Sequence, residues 1–182
     1  MLSLNVSDIE GVLLTEASYY GDVRGQFMKF NPNKTLEHPL GSVAVSINPK
    51  VGTIRGIHLQ VEPYAEEKII SCIQGSTFEV IIDLRPNSKS FGKIATFELS
   101  QANRLQVYLP RGVAHGFQTL SPDSIVHYCL TSEYSFESSY SITPLGDLGI
   151  DWPIKEISIS DRDVQGVSLA IAAQKYAESL KK

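Results

Sequence analysis

The feature that most constrains this chain is a series of short apolar or alternating segments, each bounded by Gly, Pro, Asn, Asp or Ser. Their length and their flanking turn-forming residues are typical of β-strands. The segments are GVLLTEASYY, GQFMKFN, SVAVSIN, GTIRGIHLQ, EKIISCIQG, STFEVIIDLR, IATFELS, RLQVYLP, VAHGFQTL and SIVHYCLTSEY. So many short strands with short connections favour a barrel or a two-sheet jelly roll, because closure removes exposed sheet edges. We therefore predict an all-β fold.

The last part of the chain has a different pattern. Apolar residues recur there at roughly helical spacing, at Val164, Leu169, Ile171 and Ala172. Ser160 is suited to cap a helix N-terminus, and Asp163 follows three residues later, as in a capping box. We predict a short C-terminal helix. No repeat, low-complexity segment or linker interrupts residues 1–182, which indicates a single domain.

The composition argues against several classes of function. A net charge of −4 and a pI near 5.6 do not favour nucleic-acid binding. No apolar run approaches the roughly 18 residues of a membrane span, and the N-terminus lacks the pattern of a secretory signal. We therefore expect a cytoplasmic protein. Its two cysteines, Cys72 and Cys129, lie in apolar runs and fit reduced thiols in the core.

The segment GTIRGIHLQ places two polar residues, Arg55 and His58, inside an otherwise apolar strand. Burying a polar group without a partner costs about 1–3 kcal/mol. The two residues are therefore either paired structurally or line a pocket that handles an anion and a proton. Residues three apart point to opposite faces of a regular strand. A shared pocket therefore requires a bulge or bend at Gly56.

The histidines also raise the possibility of a metal site. The stretches G-x5-H-x-Q, with His58 and Gln60, and P-x-G-x-x-H, with His115, resemble the two signature motifs of the cupin superfamily. Metal-binding cupins carry a second histidine where this chain has Gln60, and an amide is a poor ligand for a transition metal. Nearby acids lie in a polar loop, at Glu62, Glu66 and Glu67. Two firm ligands are fewer than the usual three, so we predict no metal.

A larger set of motifs resembles the dTDP-4-dehydrorhamnose 3,5-epimerase family. In order, the matching stretches are GDVRGQF, IRGIHLQ, EKIISCIQG, FEVIIDLRPNSKSFG, LPRGVAHGFQTLS, HYCLTSEY, GIDWP and SDRD, from about Gly21 to Asp163. The resemblance implies a metal-free cupin jelly-roll that acts on a nucleotide-linked 4-keto-6-deoxy sugar. It also implies a homodimer with exchanged N-terminal strands. No cofactor is expected, because an enolate mechanism moves only protons.

The resemblance assigns the base to His58, in the R-G-x-H stretch. It gives the orienting carboxylate to Asp163 of SDRD, with Asp161 as the alternative under a small gap. Such a carboxylate fixes the tautomer of the imidazole and stabilises the imidazolium. The lysine of the E-K-x-x-x-C stretch, Lys68, is expected to stabilise the enolate.

The remaining catalytic assignment is the acid on the opposite face of the sugar, which the resemblance gives to Tyr128. Tyr134 or Tyr140 could take its place. For substrate binding, the resemblance implies diphosphate contacts from two arginines, since guanidinium groups suit phosphates. The expected binding residues are Arg24, Phe27, Arg55, Gln60 and His115.

Several positions depart from the family pattern. Phe27 is followed by Met28 and Lys29 where an acid is usual, the aspartate of F-D-V is Glu79, and one tyrosine of T-x-Y-Y is Glu133. Beside the 3,5-epimerase, these changes leave three activities open. The chain could epimerise a single carbon, isomerise a keto sugar, or use a CDP- or GDP-sugar. Outside these, it could bind a sugar nucleotide without turnover, or be a metal-dependent cupin enzyme.

Overall fold

The structure, a computed structural model, describes residues 8–181 of the chain. Within that range it contains twelve β-strands and two α-helices. The strands are β1 (Leu13–Glu16), β2 (Ser18–Asp22), β3 (Gly25–Lys29), β4 (Ser42–Asn48), β5 (Ile54–Gln60), β6 (Lys68–Gln74), β7 (Ser76–Asp83), β8 (Ile94–Ser100), β9 (Leu105–Leu109), β10 (Val113–Thr119), β11 (Ser124–Leu130) and β12 (Ser139–Ser141). The helices are α1 (Asp161–Val164) and α2 (Leu169–Ser179).

Ten of the strands form two antiparallel five-stranded sheets. The first sheet has the order β1-β9-β6-β11-β4, and the second has the order β12-β5-β10-β7-β8. Consecutive strands repeatedly pass from one sheet to the other, as expected for a jelly roll. The all-β prediction is confirmed, and every predicted segment forms a strand. Strand β12 was not predicted, because its three residues are too short to show a pattern.

The apolar core lies between the two sheets. Alternate residues of β7 and β10, such as Ile81 and Phe117, point inward and meet Phe97, Leu99 and Val126. All five side chains are almost fully buried. Burying a side chain of this size contributes about 1.5–3 kcal/mol, so this layer supplies much of the stability of the fold.

A second apolar cluster covers the outer face of the second sheet. The other residues of β7, including Phe78, Val80 and Ile82, pack there against the C-terminal part of the chain. Trp152 meets Phe78 edge-on at 5.8 Å between ring centroids, and Tyr176 of α2 is 4% exposed. Because both faces of β7 are covered, seven of its eight residues are buried, including the polar residues Thr77, Glu79 and Asp83.

The C-terminal tail forms two helices, not one continuous element. Ser160 caps α1 by accepting a hydrogen bond from the Asp163 amide, as predicted. The Asp163 carboxylate does not complete the capping box, because it is bonded elsewhere. After α1 the chain runs beside β12, where the Val167 amide bonds to the Ser141 carbonyl at 2.8 Å. A side chain at Gly166 would lie 2.6 Å from the Thr143 nitrogen, so glycine permits this close approach just after α1 ends.

The hairpin of β2 and β3 stands apart from both sheets. Its side chains are largely exposed, including Tyr20 at 60% and Phe27 at 63%. Arg104, in the turn between β8 and β9, lies over the Tyr19 ring at 4.5 Å. Among residues 8–181, no helix has the length and apolar character needed to cross a membrane.

Candidate active site

The pairing of β5 with β10 contains the irregularity that Arg55 and His58 require. His58 is opposite His115 and Arg55 is opposite Phe117. The chain therefore advances three positions on β5 while it advances two on β10, which is a β-bulge. Gly56 has a φ of +112°, and a Cβ there would lie 2.6 Å from the Gly116 Cα. Only glycine fits this position without strain. The predicted bend at Gly56 is therefore present, and it turns Arg55 and His58 into one pocket.

His58 is held by a carboxylate from the other end of the chain. Its Nε2 donates to Asp163 Oδ1 at 2.7 Å, and the same carboxylate accepts from Ser141 Oγ at 2.7 Å and the Gly56 amide at 3.3 Å. Burial alone would raise the pKa of Asp163, but these donors and the His58 charge lower it to about 2. Asp161 is exposed, so Asp163 is the carboxylate paired with His58.

The imidazole of His58 is open on its other side. Its side chain is 39% exposed, although Asp163 behind it is buried. With Nε2 occupied by Asp163, Nδ1 is the ring nitrogen left to face the pocket. A histidine held in this way presents a lone pair to a reactant and can stabilise the charge that it gains on taking a proton.

The pocket beside His58 has a volume of about 320 Å³ and lies between the two sheets. Six of the nine predicted site residues line it: Arg55, His58, Gln60, Lys68, His115 and Tyr128. Asp163 lies behind His58 and lines an adjoining groove. A concave pocket with convergent polar groups of this kind is a typical ligand site.

Tyr128 and Lys68 come from neighbouring strands of the first sheet, across the pocket from His58. Burial raises the pKa of the Tyr128 phenol, and the nearby Glu79 carboxylate adds to this, so the group keeps its proton at neutral pH. Lys68 Nζ lies 3.3 Å from Glu66 Oε1, and both side chains are about nine-tenths buried. Tyr134 lies at the rim and is 63% exposed.

The loop before β6 is less exposed than the sequence indicated. Besides Glu66, Glu67 is 2% exposed, and its carboxylate contacts His38 Nδ1 at 2.8 Å. The polar loop identified in the sequence thus carries two largely buried carboxylates, Glu66 and Glu67. The expectation for the cysteines holds, since Cys72 and Cys129 are buried free thiols.

A second histidine–carboxylate pair lies deeper in the pocket wall. His115 Nε2 donates to Glu79 Oε2 at 2.6 Å, across the paired strands β10 and β7. His115 is 4% exposed and Glu79 is fully buried. Burial lowers the pKa of His115 more than the Glu79 hydrogen bond raises it. The His115 ring meets the Tyr128 ring edge-on, with centroids 6.2 Å apart.

Arg55 is oriented by Asn48 at the end of β4, which belongs to the other sheet. Its Nε donates to Asn48 Oδ1 at 2.8 Å, while Asn48 is 1% exposed and donates to the carbonyls of Ser46 and Ser124. The remaining guanidinium nitrogens are free to reach a ligand, since Arg55 itself is exposed. This is a suitable anchor for an anion such as a phosphate.

Comparison with known proteins adds independent information. The family model for dTDP-4-dehydrorhamnose 3,5-epimerase matches residues 6–170. The chain belongs to this family. The dTDP-4-dehydrorhamnose 3,5-epimerase of Sinorhizobium fredii is 34% identical over 176 residues, which cover 92% of this chain and 88% of the relative.

Two solved structures are similar as well. The dTDP-6-deoxy-D-glucose-3,5-epimerase of Legionella pneumophila, in complex with dTDP-4-keto-L-rhamnose, has a TM-score of 0.83 and 32% identity, covering 90% of each chain. A 3'-monoepimerase of Streptomyces bikiniensis, in complex with dTDP-quinovose, has a TM-score of 0.80 and 30% identity. This match covers 100% of this chain and 91% of the other.

Two of the residues that family resemblance assigns to substrate binding are not in the pocket of this chain. Arg24 and Phe27 lie on the β2–β3 hairpin, beside a separate surface depression. The Arg24 side chain is 86% exposed and pairs with Asp22. One chain therefore does not bring these residues to His58.

Gln60 lines the pocket, but its amide is already used. It donates to the carbonyls of Tyr64 and Glu133 and accepts from the Ser135 amide at 2.7 Å. Because all three bonds go to backbone, Gln60 fixes the loop that carries Tyr134. A direct contact with a ligand is not required to explain this residue.

The sequence analysis missed Arg162, which lies at the mouth of the pocket. Its guanidinium donates to Tyr134 Oη and to Ser139 Oγ, both at 2.9 Å, and it lines the adjoining groove with Arg55. The signal was present in SDRD, directly before Asp163. Within residues 8–181, no group of three or more His, Cys, Asp and Glu side chains converges to hold a metal ion.

Proposed function

We propose that this chain is an epimerase of the dTDP-4-dehydrorhamnose 3,5-epimerase type, which inverts carbons of a nucleotide-linked 4-keto-6-deoxy sugar through an enolate. The observation that carries this proposal is the His58–Asp163 pair, which opens into the pocket opposite Tyr128. Inversion next to a ketone needs a base on one face of the ring and an acid on the other. This pocket offers both groups.

In the first step, His58 Nδ1 removes the proton on a carbon next to the C4 ketone. Asp163 holds the Nε2–H and stabilises the imidazolium that forms. The electrons of the broken C–H bond move to the ketone oxygen and give an enolate. Lys68, which lies in the same pocket, stabilises the negative oxygen.

In the second step, the Tyr128 hydroxyl gives its proton to the same carbon from the opposite face, which inverts the centre. Its raised pKa keeps that proton available at neutral pH. His58 then loses the abstracted proton to solvent, and Tyr128 regains one. No electrons leave or enter the sugar, so the step balances with proton transfers alone.

The rest of the substrate is an anion, and the pocket mouth is cationic. Arg55, fixed by Asn48, is placed to bind the diphosphate. Arg162 lies beside it in the adjoining groove and adds a second guanidinium. His115 contacts the sugar from the wall next to His58.

The decisive experiment is NMR of dTDP-4-keto-6-deoxyglucose incubated with the protein in heavy water. Deuterium at both C3 and C5, with inverted product, is the expected result. His58→Asn must abolish the exchange while the variant stays folded. A folded wild-type protein that binds dTDP without exchanging any sugar proton would refute the proposal and leave a binding module. Chelator-sensitive turnover with stoichiometric metal would favour a metal-dependent cupin enzyme.

A single-carbon epimerase is the second candidate. The similarity to the 3'-monoepimerase of Streptomyces bikiniensis supports it, and so does Glu133, which replaces a tyrosine of the family pattern beside the rim residue Tyr134. The same NMR spectrum separates the two candidates, since deuterium at C3 alone would identify the mono-epimerase. Exchange with a CDP- or GDP-sugar alone would identify a different nucleotide, and migration of the ketone would identify a keto-isomerase.

We further propose that the chain acts as a homodimer in which each β2–β3 hairpin supplies Arg24 and Phe27 to the partner's pocket. Two features support this. Both residues are exposed and lie outside their own pocket, and the edge strand β4 exposes an apolar row formed by Val43, Val45 and Ile47. Burying such a row against a second copy is favourable.

Complementation tests the dimer. The Arg24→Ala homodimer should be weakly active and the His58→Asn homodimer inactive in exchange, and mixing them through a denaturation–refolding cycle should restore activity. In the hybrid, one pocket combines an intact His58 with an intact Arg24 of the partner subunit. A mixture no more active than its components would overturn the exchange, and Lys29→Ala serves as a hairpin control.

Two further proposals concern the whole chain. The two sheets share one core, so we propose a single domain, which a single cooperative unfolding transition would support. The free thiols Cys72 and Cys129 fit a reducing compartment such as the cytoplasm.

A further inference from the structure

The buried carboxylate of Glu79 has a second partner besides His115. Thr77 precedes it by two residues on β7, so both side chains point toward the core between the sheets. Thr77 Oγ1 donates to Glu79 Oε1 at 2.5 Å and lies 3.3 Å from the Leu99 carbonyl. Thr77 and Glu79 are both fully buried. The hydroxyl therefore has no solvent to replace this partner.

Each oxygen of Glu79 thus has one donor. Oε1 accepts from Thr77, and Oε2 accepts from His115 Nε2 at 2.6 Å. A carboxylate that accepts on both oxygens acts as the ionised form, and the proton of the histidine bond then resides on Nε2. The other ring nitrogen of His115, Nδ1, has no hydrogen-bond partner among residues 8–181, and His115 lines the pocket.

We propose that Thr77 is a positioning residue of the active site. By fixing Glu79, it holds the His115 ring in one orientation and one tautomer, with the unprotonated Nδ1 presented to a hydroxyl group of the sugar. The sugar part of this inference rests on the proposed function. Because His115 is directly opposite His58 in the β5–β10 pairing, a hydroxyl bound by His115 lies close to the base.

The neighbourhood explains why a hydroxyl is needed at position 77. The thiol of Cys72 also lies near Thr77, but burial raises its pKa to about 11, so it stays neutral and bonds to the Gln74 carbonyl. Replacing Thr77 with Val keeps the volume but leaves Glu79 Oε1 without a donor. An unsatisfied buried acceptor is costly. Glu79 is then expected to rotate toward another donor, and this rotation leaves the His115 ring free to change its orientation and tautomer.

The test uses ¹⁵N-histidine NMR of the free protein. The chain has four histidines, so the imidazole signals can be assigned with His115→Gln. Wild type should show His115 protonated on Nε2. Thr77→Val should populate the Nδ1–H tautomer, and Thr77→Ser should restore the wild-type spectrum. Thr119→Val is the matched control, because Thr119 is also fully buried and bonds to the Lys50 carbonyl. It should leave the His115 signals unchanged.

Kinetics add a second readout. We expect Thr77→Val to raise KM about tenfold, the loss of roughly one well-placed hydrogen bond, with kcat within a factor of about three. Thr77→Ser should return KM to the wild-type value. If Thr77→Val lowers Tm but leaves both the tautomer and KM unchanged, Thr77 is only structural and the inference is overturned.

The inference and the proposed function fail separately. The NMR measurement needs no substrate, so an Nδ1–H signal for His115 in wild type refutes the inference even in an active epimerase. An inactive protein with the expected tautomer refutes the proposed function alone. If Thr77→Val does not fold, Glu79→Gln takes its place. Its amide keeps the volume. If Glu79→Gln leaves the tautomer of His115 unchanged, the proposed coupling from Thr77 through Glu79 to His115 is refuted.

Discussion

Two histidines that line the pocket are each paired with a carboxylate behind them, and the two pairs are alike chemically but differ in their surroundings. His58 is 39% exposed in its side chain and is paired with Asp163, 105 residues away in sequence. His115 is 5% exposed in its side chain and is paired with Glu79 on the adjacent strand. A base must exchange protons with solvent between turnovers, which suits the open pair. A fixed binding contact benefits from exclusion of water, which suits the closed pair.

The carboxylates also differ in their other donors. Asp163 accepts from His58, Ser141 and the Gly56 amide, which together lower its pKa to about 2. Among residues 8–181, Glu79 accepts from His115 and Thr77. The first carboxylate is stabilised as an anion facing the histidine that, in the proposed mechanism, becomes charged. We therefore assign proton transfer to the first pair and orientation to the second.

Removing the histidine of the open pair should have the largest effect. His58→Asn keeps a polar side chain of similar size but has no group able to take the α-proton. General base catalysis contributes about 10²–10⁴-fold, and we expect kcat to fall about 10³-fold with loss of deuterium exchange. His115→Asn should retain exchange. Equal loss of exchange in both variants would break the distinction between the pairs, and circular dichroism controls for folding.

Tyr128→Phe should separate exchange from inversion. The phenyl ring keeps the packing but cannot reprotonate the enolate, while His58 can still return a solvent deuteron to the face from which it came. We expect deuterium in recovered substrate and roughly 10²-fold less inverted product. A variant that inverts at the wild-type rate would move the acid role elsewhere, with Tyr134→Phe as the direct comparison.

The Asp163→Asn variant should reduce kcat about 10²-fold. Its amide can donate to His58 Nε2, which drives the proton onto Nδ1 and blocks the base. KM should change little, because Asp163 lies behind the histidine and not in the pocket. Asp161→Asn is the matched control, since Asp161 is exposed on the same short helix. If both variants keep full activity, His58 does not depend on this carboxylate.

The structure shows which parts of this molecule were readable from sequence. Alternation and turn residues located the strands, because these are local signals. The bend at Gly56 was deduced from the demand that Arg55 and His58 share a face. The pairing of His58 with Asp163 crosses 105 residues, and local patterns carry no such information, so it came from the family motifs.

Several other features of the structure could not be predicted from the sequence, because they depend on tertiary contacts. The break between α1 and α2 coincides with the close packing of Gly166 against the end of β12, which is a tertiary contact. The role of Gln60 in bonding a distant loop and the position of Arg162 at the rim also depend on how the chain returns to β5. The placement of Arg24 and Phe27 outside the pocket depends on a hairpin that pairs with neither sheet.

The pH dependence of stability should differ between wild type and Asp163→Asn, because Asp163 has a folded pKa of about 2, below its ordinary value of 3.8. A lowered folded pKa gives stability that is present above about pH 4 and is lost as the pH falls toward 2. The difference in unfolding free energy between wild type and Asp163→Asn should therefore narrow by about 2 kcal/mol across this range. Urea unfolding at several pH values measures it. A constant difference would contradict the lowered pKa.

The smallest effect is expected at the closed pair. Glu79→Gln makes the same carboxylate-to-amide change as Asp163→Asn, and its amide can likewise donate to His115 Nε2 and move the proton to Nδ1. In Glu79→Gln, a protonated His115 Nδ1 can no longer accept a hydrogen bond from a sugar hydroxyl. KM should therefore rise about tenfold, while kcat and deuterium exchange stay close to wild type. Steady-state kinetics of the two variants side by side provide the measurement. A fall in kcat as large as that of Asp163→Asn would show that His115 also takes part in proton transfer. The assignment of different roles to the two pairs would then be wrong.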